Sequence, residues 1–374
     1  MNVGIMHKIP DTFCPAKWDE LVLSFEMNYA YACCKSTPKK VGDNVMEFIS
    51  KEKINLLNGV QDSSCNFCWD VENAGGTSRR HEYLQTFNHA TLPDYIDDSV
   101  SPRSIEVNIG NECNFQCTYC NPKFSSKWEM DVRSKPYPIF TDRFFYDIDA
   151  KSKDVMDKNI EFLKNYELER LEIIGGEPLL NKKFFQLIEQ AHSKHLGLST
   201  NLSAKRDAIA KLIGQANRYQ TMTIHVSLDA TKEISEFVRY GLDYDHLMDN
   251  LNYLIKSSPP NVKIIIGSVM SSITIRDFPN FSKVILPLLG GNVVWQLNYC
   301  QSPKTQSMLT LPEHYKPVII DAIDSVEHIN IRGLASVKSV VESSTFNKTM
   351  HQEMKHFFKE FSERKKIQIP LCLD

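Results

Sequence analysis

Three cysteines, Cys113, Cys117 and Cys120, stand within one short run, GNECNFQCTYCN. Thiolates are soft ligands that select iron–sulfur clusters, zinc or copper(I). A cubane takes four ligands, so a loop that supplies three leaves one iron open to another molecule. Structural zinc is the competing reading, but such sites close all four positions, usually from two paired halves. No fourth Cys or His stands beside this triple, and the nearest downstream histidines are His192 and His195. The spacing therefore favours a cluster with an open corner.

A second set of thiols precedes the first: Cys14, the adjacent Cys33 and Cys34, and the CxxC pair Cys65 and Cys68. One thiolate from each of the first two positions, together with the CxxC pair, would close a metal site fully. The strand-end position favours Cys33 over Cys34. Structural zinc on the same four thiolates is the alternative here. Eight of the ten cysteines lie in the first 120 residues. Cys300, in QLNYCQSP, follows a strand-like run, and Cys372 is left without a role.

The chain has 374 residues, 42% hydrophobic and 24% charged, an ordinary globular composition. Its formal net charge of -3 gives no electrostatic reason to expect nucleic acid or an anionic membrane as partner. No apolar run is long enough for a transmembrane helix. The N-terminal MNVGIMHKIPDTFC lacks the apolar core of a secretory signal. A cytoplasmic location is expected, where thiols stay reduced and clustered cysteines bind metal or do redox chemistry.

The elements that must position these residues alternate from residue 103 onward. Strand signals fall at 104–109, 171–174, 196–200, 221–228, 262–269 and 293–298, short and rich in β-branched residues. Helical spacing lies between them, as at 182–192 and 244–255. Six strands with intervening helices predict an α/β fold, a partial (βα)6 TIM-like barrel of parallel strands over residues 101–300. Ligand sites in such folds sit at the C-terminal ends of strands. Residues 121–158 read as an excursion over the mouth. A small N-terminal α+β cluster-binding domain is expected over 1–100, with a hairpin at 21–25 and 29–33 and a helix at 45–58. A helical extension is expected over 301–374, with helices at 313–326 and 348–362.

CNFQCTYC resembles the cluster motif of radical S-adenosylmethionine (SAM) enzymes, with the aromatic Tyr119 before its third cysteine. The second strand ends in Gly175, Gly176, Glu177 and Pro178, similar to that family's motif for the methionyl amino group of SAM. Ser199, Thr200 and Asn201 end the third strand, and Ser227 and Asp229 the fourth, where the family makes polar contacts to SAM. Arg239 matches an arginine that the family uses near the SAM carboxylate. The resemblance spans roughly 103–300 and rests on the order of these motifs.

The N-terminal FEMNYAYACC and CNFCWDVENAGGTSRR, with Glu72, Gly75, Ser78 and Arg79, are similar to the twitch and SPASM auxiliary-cluster domains. Most relatives place that domain after the barrel.

The resemblance implies a [4Fe-4S] cluster on Cys113, Cys117 and Cys120, SAM bound at its open iron, and a second [4Fe-4S] cluster on Cys14, Cys33, Cys65 and Cys68. It implies reductive cleavage of SAM to a 5′-deoxyadenosyl radical that takes hydrogen from a substrate. A one-electron donor such as flavodoxin or ferredoxin would be needed. The expected substrate is a small organic molecule, of nucleoside, sugar or amino-acid type, that is isomerised, epimerised or oxidised. Peptide maturation is the alternative, and a zinc-stabilised binding protein a remote one. Cys300 is a candidate donor to a substrate radical, set against the plainer reading of a buried thiol.

Overall fold

A computed structural model describes residues 9–25, 29–33, 39–40, 45–73, 75–86, 102–137 and 154–370. Cys34, Cys372 and residues 138–153 of the expected excursion lie outside the described residues. Eleven strands are described: β1 Glu20–Ser24, β2 Tyr29–Tyr31, β3 Lys39–Lys40, β4 Ser104–Asn108, β5 Gln116–Cys117, β6 Glu167–Ile174, β7 His192–Thr200, β8 Thr221–Ser227, β9 Arg239–Tyr240, β10 Val262–Met270 and β11 Val293–Tyr299. The chain divides into two compact units. The first comprises residues 1–110, 150–174 and 186–195, and the second 111–149, 175–185 and 196–374.

In the first unit the strand order is β6–β4–β1–β2–β3. The expected hairpin forms, with Val22 opposite Tyr31 and Ser24 opposite Tyr29. β1 also pairs in parallel with β4, Glu20 opposite Ser104, and β4 pairs in parallel with β6. Leu21, Val22 and Leu23 are all buried, as befits a strand covered on both faces. Phe13, Trp18, Leu56 and Trp69 form a core that includes Cys14 and Cys33. The helix expected at 45–58 spans Val45–Leu57.

In the second unit, taking β7 from Leu196, the order is β11–β10–β8–β7. β10 lies parallel to both neighbours, Ile264 facing Ile224 on one side and Val293 on the other. The helix Tyr244–Ser257 starts at Asp243, whose side chain accepts from the His246 N–H. Its Leu247, Leu251 and Leu254 are fully buried, the i, i+4, i+7 stripe that a helix turns inward.

All six expected strands form, helices separate them in the chain, and the C-terminal region is helical. The α/β class with mostly parallel strands is therefore as the sequence implies. β6 begins at Glu167, earlier than its apolar signal, because the alternating ELER run exposes its polar side. The expected helix at 313–326 opens as a 3-10 turn, Glu313–Tyr315, before Lys316–Asp324. Pro317 sits in the first turn of that helix, where its missing N–H has no intrahelical partner to lose.

Candidate cofactor site

The cysteine loop takes its shape from hydroxyls, one indole and a short ladder. Ser125 caps the helix Ser126–Ser134 by accepting from the Trp128 N–H, and its hydroxyl donates to the Phe115 carbonyl at 2.6 Å. Ser126 Oγ donates to the Cys113 carbonyl at 3.1 Å. Trp128 Nε1 donates to the Cys117 carbonyl at 2.8 Å. β5 pairs antiparallel with β9, which sets Cys117 opposite Arg239. Gly241 follows with φ +105°, and a Cβ there would stand 2.9 Å from the Asn114 carbonyl oxygen.

Between the second and third cysteines the loop is tied to the C-terminal region. Thr118 Oγ1 donates to Gln306 Oε1 at 2.9 Å, and Gln306 Nε2 returns a bond to the Thr118 carbonyl at 2.8 Å. The helix Lys348–Lys365 adds an apolar cover. Its Met354, Phe357, Phe358 and Phe361 cluster with Trp128 and Tyr137, and Tyr119 and Cys120 pack against that cluster.

Cys113, Cys117 and Cys120 line one cleft of about 380 Å³. Gly175, Gly176, Ser199, Thr200, Asn201, Ser227 and Arg239 line it too, with Phe115, Tyr119 and Val269. Burial pushes the Cys113 thiol up to about 12, against the Phe115 N–H that favours its thiolate. Burial raises Cys117 as well, opposed by Arg239. Such thiols become thiolates only when a soft metal takes the proton's place. This donor set, three thiols around one open cleft, fits a cluster with a vacant corner.

Some expected contacts face the cleft and others support it. Gly176 is held to glycine by packing, since a Cβ would lie 2.2 Å from the Glu112 carbonyl oxygen. Glu177 and Pro178 are not in the cleft lining. The Glu177 carboxylate is buried and accepts from Thr200 Oγ1 at 2.7 Å, the Asn201 N–H at 2.5 Å and the Leu179 N–H at 3.2 Å. Burial lifts it to about 7, against those three donors. Its own N–H donates to the Glu112 carbonyl at 2.7 Å, next to Cys113. Asn201 Nδ2 in turn donates to Asn114 Oδ1 at 2.9 Å.

Asp229 also sits beneath the cleft, fully buried. It holds Arg239 through Nε at 2.7 Å and Nη2 at 3.1 Å, accepts from the Val269 N–H, and accepts from the Tyr119 hydroxyl. Arg239 Nη1 is left pointing toward Cys117 Sγ at 3.9 Å. Cys300 is buried, outside the cleft lining, and its thiol donates to the Ser302 carbonyl at 3.5 Å. Gln306 and the phenylalanines of the last helix gave no sequence signal, because nothing local marks a partner so distant in the chain.

In the first unit Cys14, Cys33, Cys65 and Cys68 line a single pocket, together with Ala16, Lys17, Arg79 and Arg80. Glu72, singled out from the sequence, accepts from Ser78, from Arg80 Nε at 2.9 Å and from Arg80 Nη2 at 2.5 Å. Lys17 and Arg80 were not legible as part of this site, because nothing local in the sequence marks the burial of a cation. Among the described residues, no group of three or more His, Cys, Asp or Glu closes on a single metal ion.

A three-thiol cleft beside the ends of parallel strands defines an α/β protein with a cysteine-based cofactor site. Residues 107–283 match the model of the Radical SAM superfamily. It is 25% identical over 169 residues to a GTP 3′,8-cyclase of Helicobacter pylori, covering 44% of this chain and 46% of that protein. A GTP 3′,8-cyclase of Staphylococcus haemolyticus is 27% identical over 162 residues, covering 41% of this chain and 42% of that protein. The chain thus spans less than half the length of these relatives. Among solved structures, Streptococcus suis SuiB aligns with 83% of this chain and 70% of its own, at a TM-score of 0.41 and 13% identity. No helix among the described residues is long and apolar enough to cross a membrane.

Proposed function

We propose that the protein is a radical SAM enzyme that removes a hydrogen atom from a small organic substrate and isomerises, epimerises or oxidises it. The observation that carries this reading is the convergence of Cys113, Cys117, Cys120, Gly175, Gly176 and Arg239 on one cleft. When bound, the cluster and SAM would supply a 5′-deoxyadenosyl radical. The chain's own residues do the rest. The three thiolates hold the cluster, and the closely packed glycines let backbone approach the methionyl end of SAM. Ser199, Thr200, Asn201 and Ser227 offer polar contacts, Glu177 fixes the strand ends that carry them, and Asp229 holds Arg239 and Tyr119 in place.

Relatives whose name makes a nucleotide their substrate support a small substrate over a peptide. The second thiol set is proposed to hold an auxiliary [4Fe-4S] cluster, within a module of residues 1–100 that precedes a barrel of 101–300 and an extension of 301–374. The Cys300 thiol donates to the Ser302 carbonyl and lies outside the cleft lining, which favours the plainer reading of a buried thiol.

The test is metal analysis and SAM cleavage on anaerobically reconstituted protein. About eight irons per chain with matching sulfide, and 5′-deoxyadenosine formed on adding dithionite, would support both cluster assignments and the radical chemistry. Deuterium transfer from labelled nucleosides, sugars or peptides into 5′-deoxyadenosine would then identify the substrate class. Zinc without labile sulfide, or no 5′-deoxyadenosine, would overturn the reading.

A further inference from the structure

Every charged side chain lining the four-thiol pocket is a cation: Lys17, Arg79 and Arg80. Each has a carboxylate partner that is not part of the lining. Lys17 Nζ meets Glu52 at 2.6 Å, Arg80 Nη2 meets Glu72 at 2.5 Å, and Arg79 Nη2 meets Glu20 at 2.8 Å. Three ion pairs thus border the pocket that the four cysteines line, each through its cationic residue.

The Lys17–Glu52 pair is deeply buried, the side chains 1% and 4% exposed. Taking two charges out of water is costly unless further charges or bonds compensate. Lys17 also bonds Ser64 Oγ at 3.1 Å. An ammonium only donates, so Ser64 must accept, which leaves its own proton free for Cys65 Sγ, 3.9 Å away.

We propose that Lys17, Arg79 and Arg80 tune an iron–sulfur cluster on Cys14, Cys33, Cys65 and Cys68 by stabilising its reduced, more negative state. The inference rests on the auxiliary-cluster reading above. Reduction brings in one electron from a one-electron donor and makes or breaks no bond. The added charge strengthens the attraction to fixed cations, most where solvent is excluded. The three residues are positioning residues, acting on the potential and not on substrate.

The test uses the full chain carrying Cys113→Ala, Cys117→Ala and Cys120→Ala, so that only this cluster remains. Its reduction is followed by electron paramagnetic resonance in a dithionite titration with mediators. Lys17→Gln with Glu52→Gln removes the pocket-lining cation together with its carboxylate, which does not line the pocket, so that neither charge is left buried alone. That pair is expected to make reduction about tenfold less favourable, ~59 mV for a one-electron couple. Arg79→Gln, at a half-exposed position, tests the same direction with less risk to the fold. Arg80→Lys keeps the charge and should stay near the parent value.

A potential unchanged or raised in the Gln variants, with about four irons per chain retained, would overturn the inference and leave the cluster standing. A parent protein that holds zinc without sulfide would instead remove the auxiliary cluster itself.

Discussion

At the scale of single residues, the acidic member of the GGEP motif is the instructive case. The sequence reading placed Glu177 against the SAM amino group, while its carboxylate oxygens receive three donors from the chain. Glu177→Gln would turn an amide donor toward one of those donors. A loss of roughly 1–3 kcal/mol is expected, the usual cost of a buried polar mismatch, measurable by urea denaturation. The carboxyl is lifted from 4.5 to about 7 by burial, so the folded apo protein holds this proton more tightly than the unfolded chain does. Its contribution to stability is full below pH 4.5 and is lost as pH rises through about 7. In the Gln variant that slope between the two values should disappear. Gly176→Ala is expected to be worse, because its Cβ would meet backbone at 2.2 Å. Iron content and SAM binding by equilibrium dialysis should both fall.

At the scale of elements, the last helix was legible as a helix and illegible as a part of the site. Its apolar positions 354, 357, 358 and 361 follow helical spacing, but periodicity names a face and not what covers it. The cover is Trp128, whose indole holds the Cys117 carbonyl. Phe361→Ala is expected to cost about 3–5 kcal/mol, the range for truncating a buried aromatic, read from a thermal melt. Cluster loss in air should also quicken, followed by the decay of visible absorbance. The strands were legible because short runs rich in β-branched residues alternate with stretches of helical spacing. β6 was read too short because half its residues are polar and solvent-facing.

At the scale of the molecule, the two thiol sets fall in different compact units. Substitutions in one set and the other should therefore act independently on metal content, as sites packed in separate clusters without shared partners generally do. Cys65→Ala with Cys68→Ala should remove about four irons while the cysteine loop at 113–120 keeps its own. Cys117→Ala should do the reverse and abolish SAM cleavage. Cysteine spacing singles out both sets, with strand-end position favouring Cys33 over Cys34 in the first of them along the chain. Lys17 and Arg80 beside the N-terminal pocket could not be read in this way, because the burial of a cation depends on what folds over it.

The paired bonds between Thr118 and Gln306 join the middle of the cysteine loop to a residue 188 positions later. During synthesis, the three thiols therefore emerge long before their loop can be fastened. Until residue 306 and the helix Lys348–Lys365 have left the ribosome, that loop lacks both its anchor and its apolar lid. Cluster insertion at Cys113, Cys117 and Cys120 is accordingly expected to follow the emergence of that helix. Nascent chains arrested before residue 300 should acquire no stable cluster there when exposed to an iron–sulfur donor.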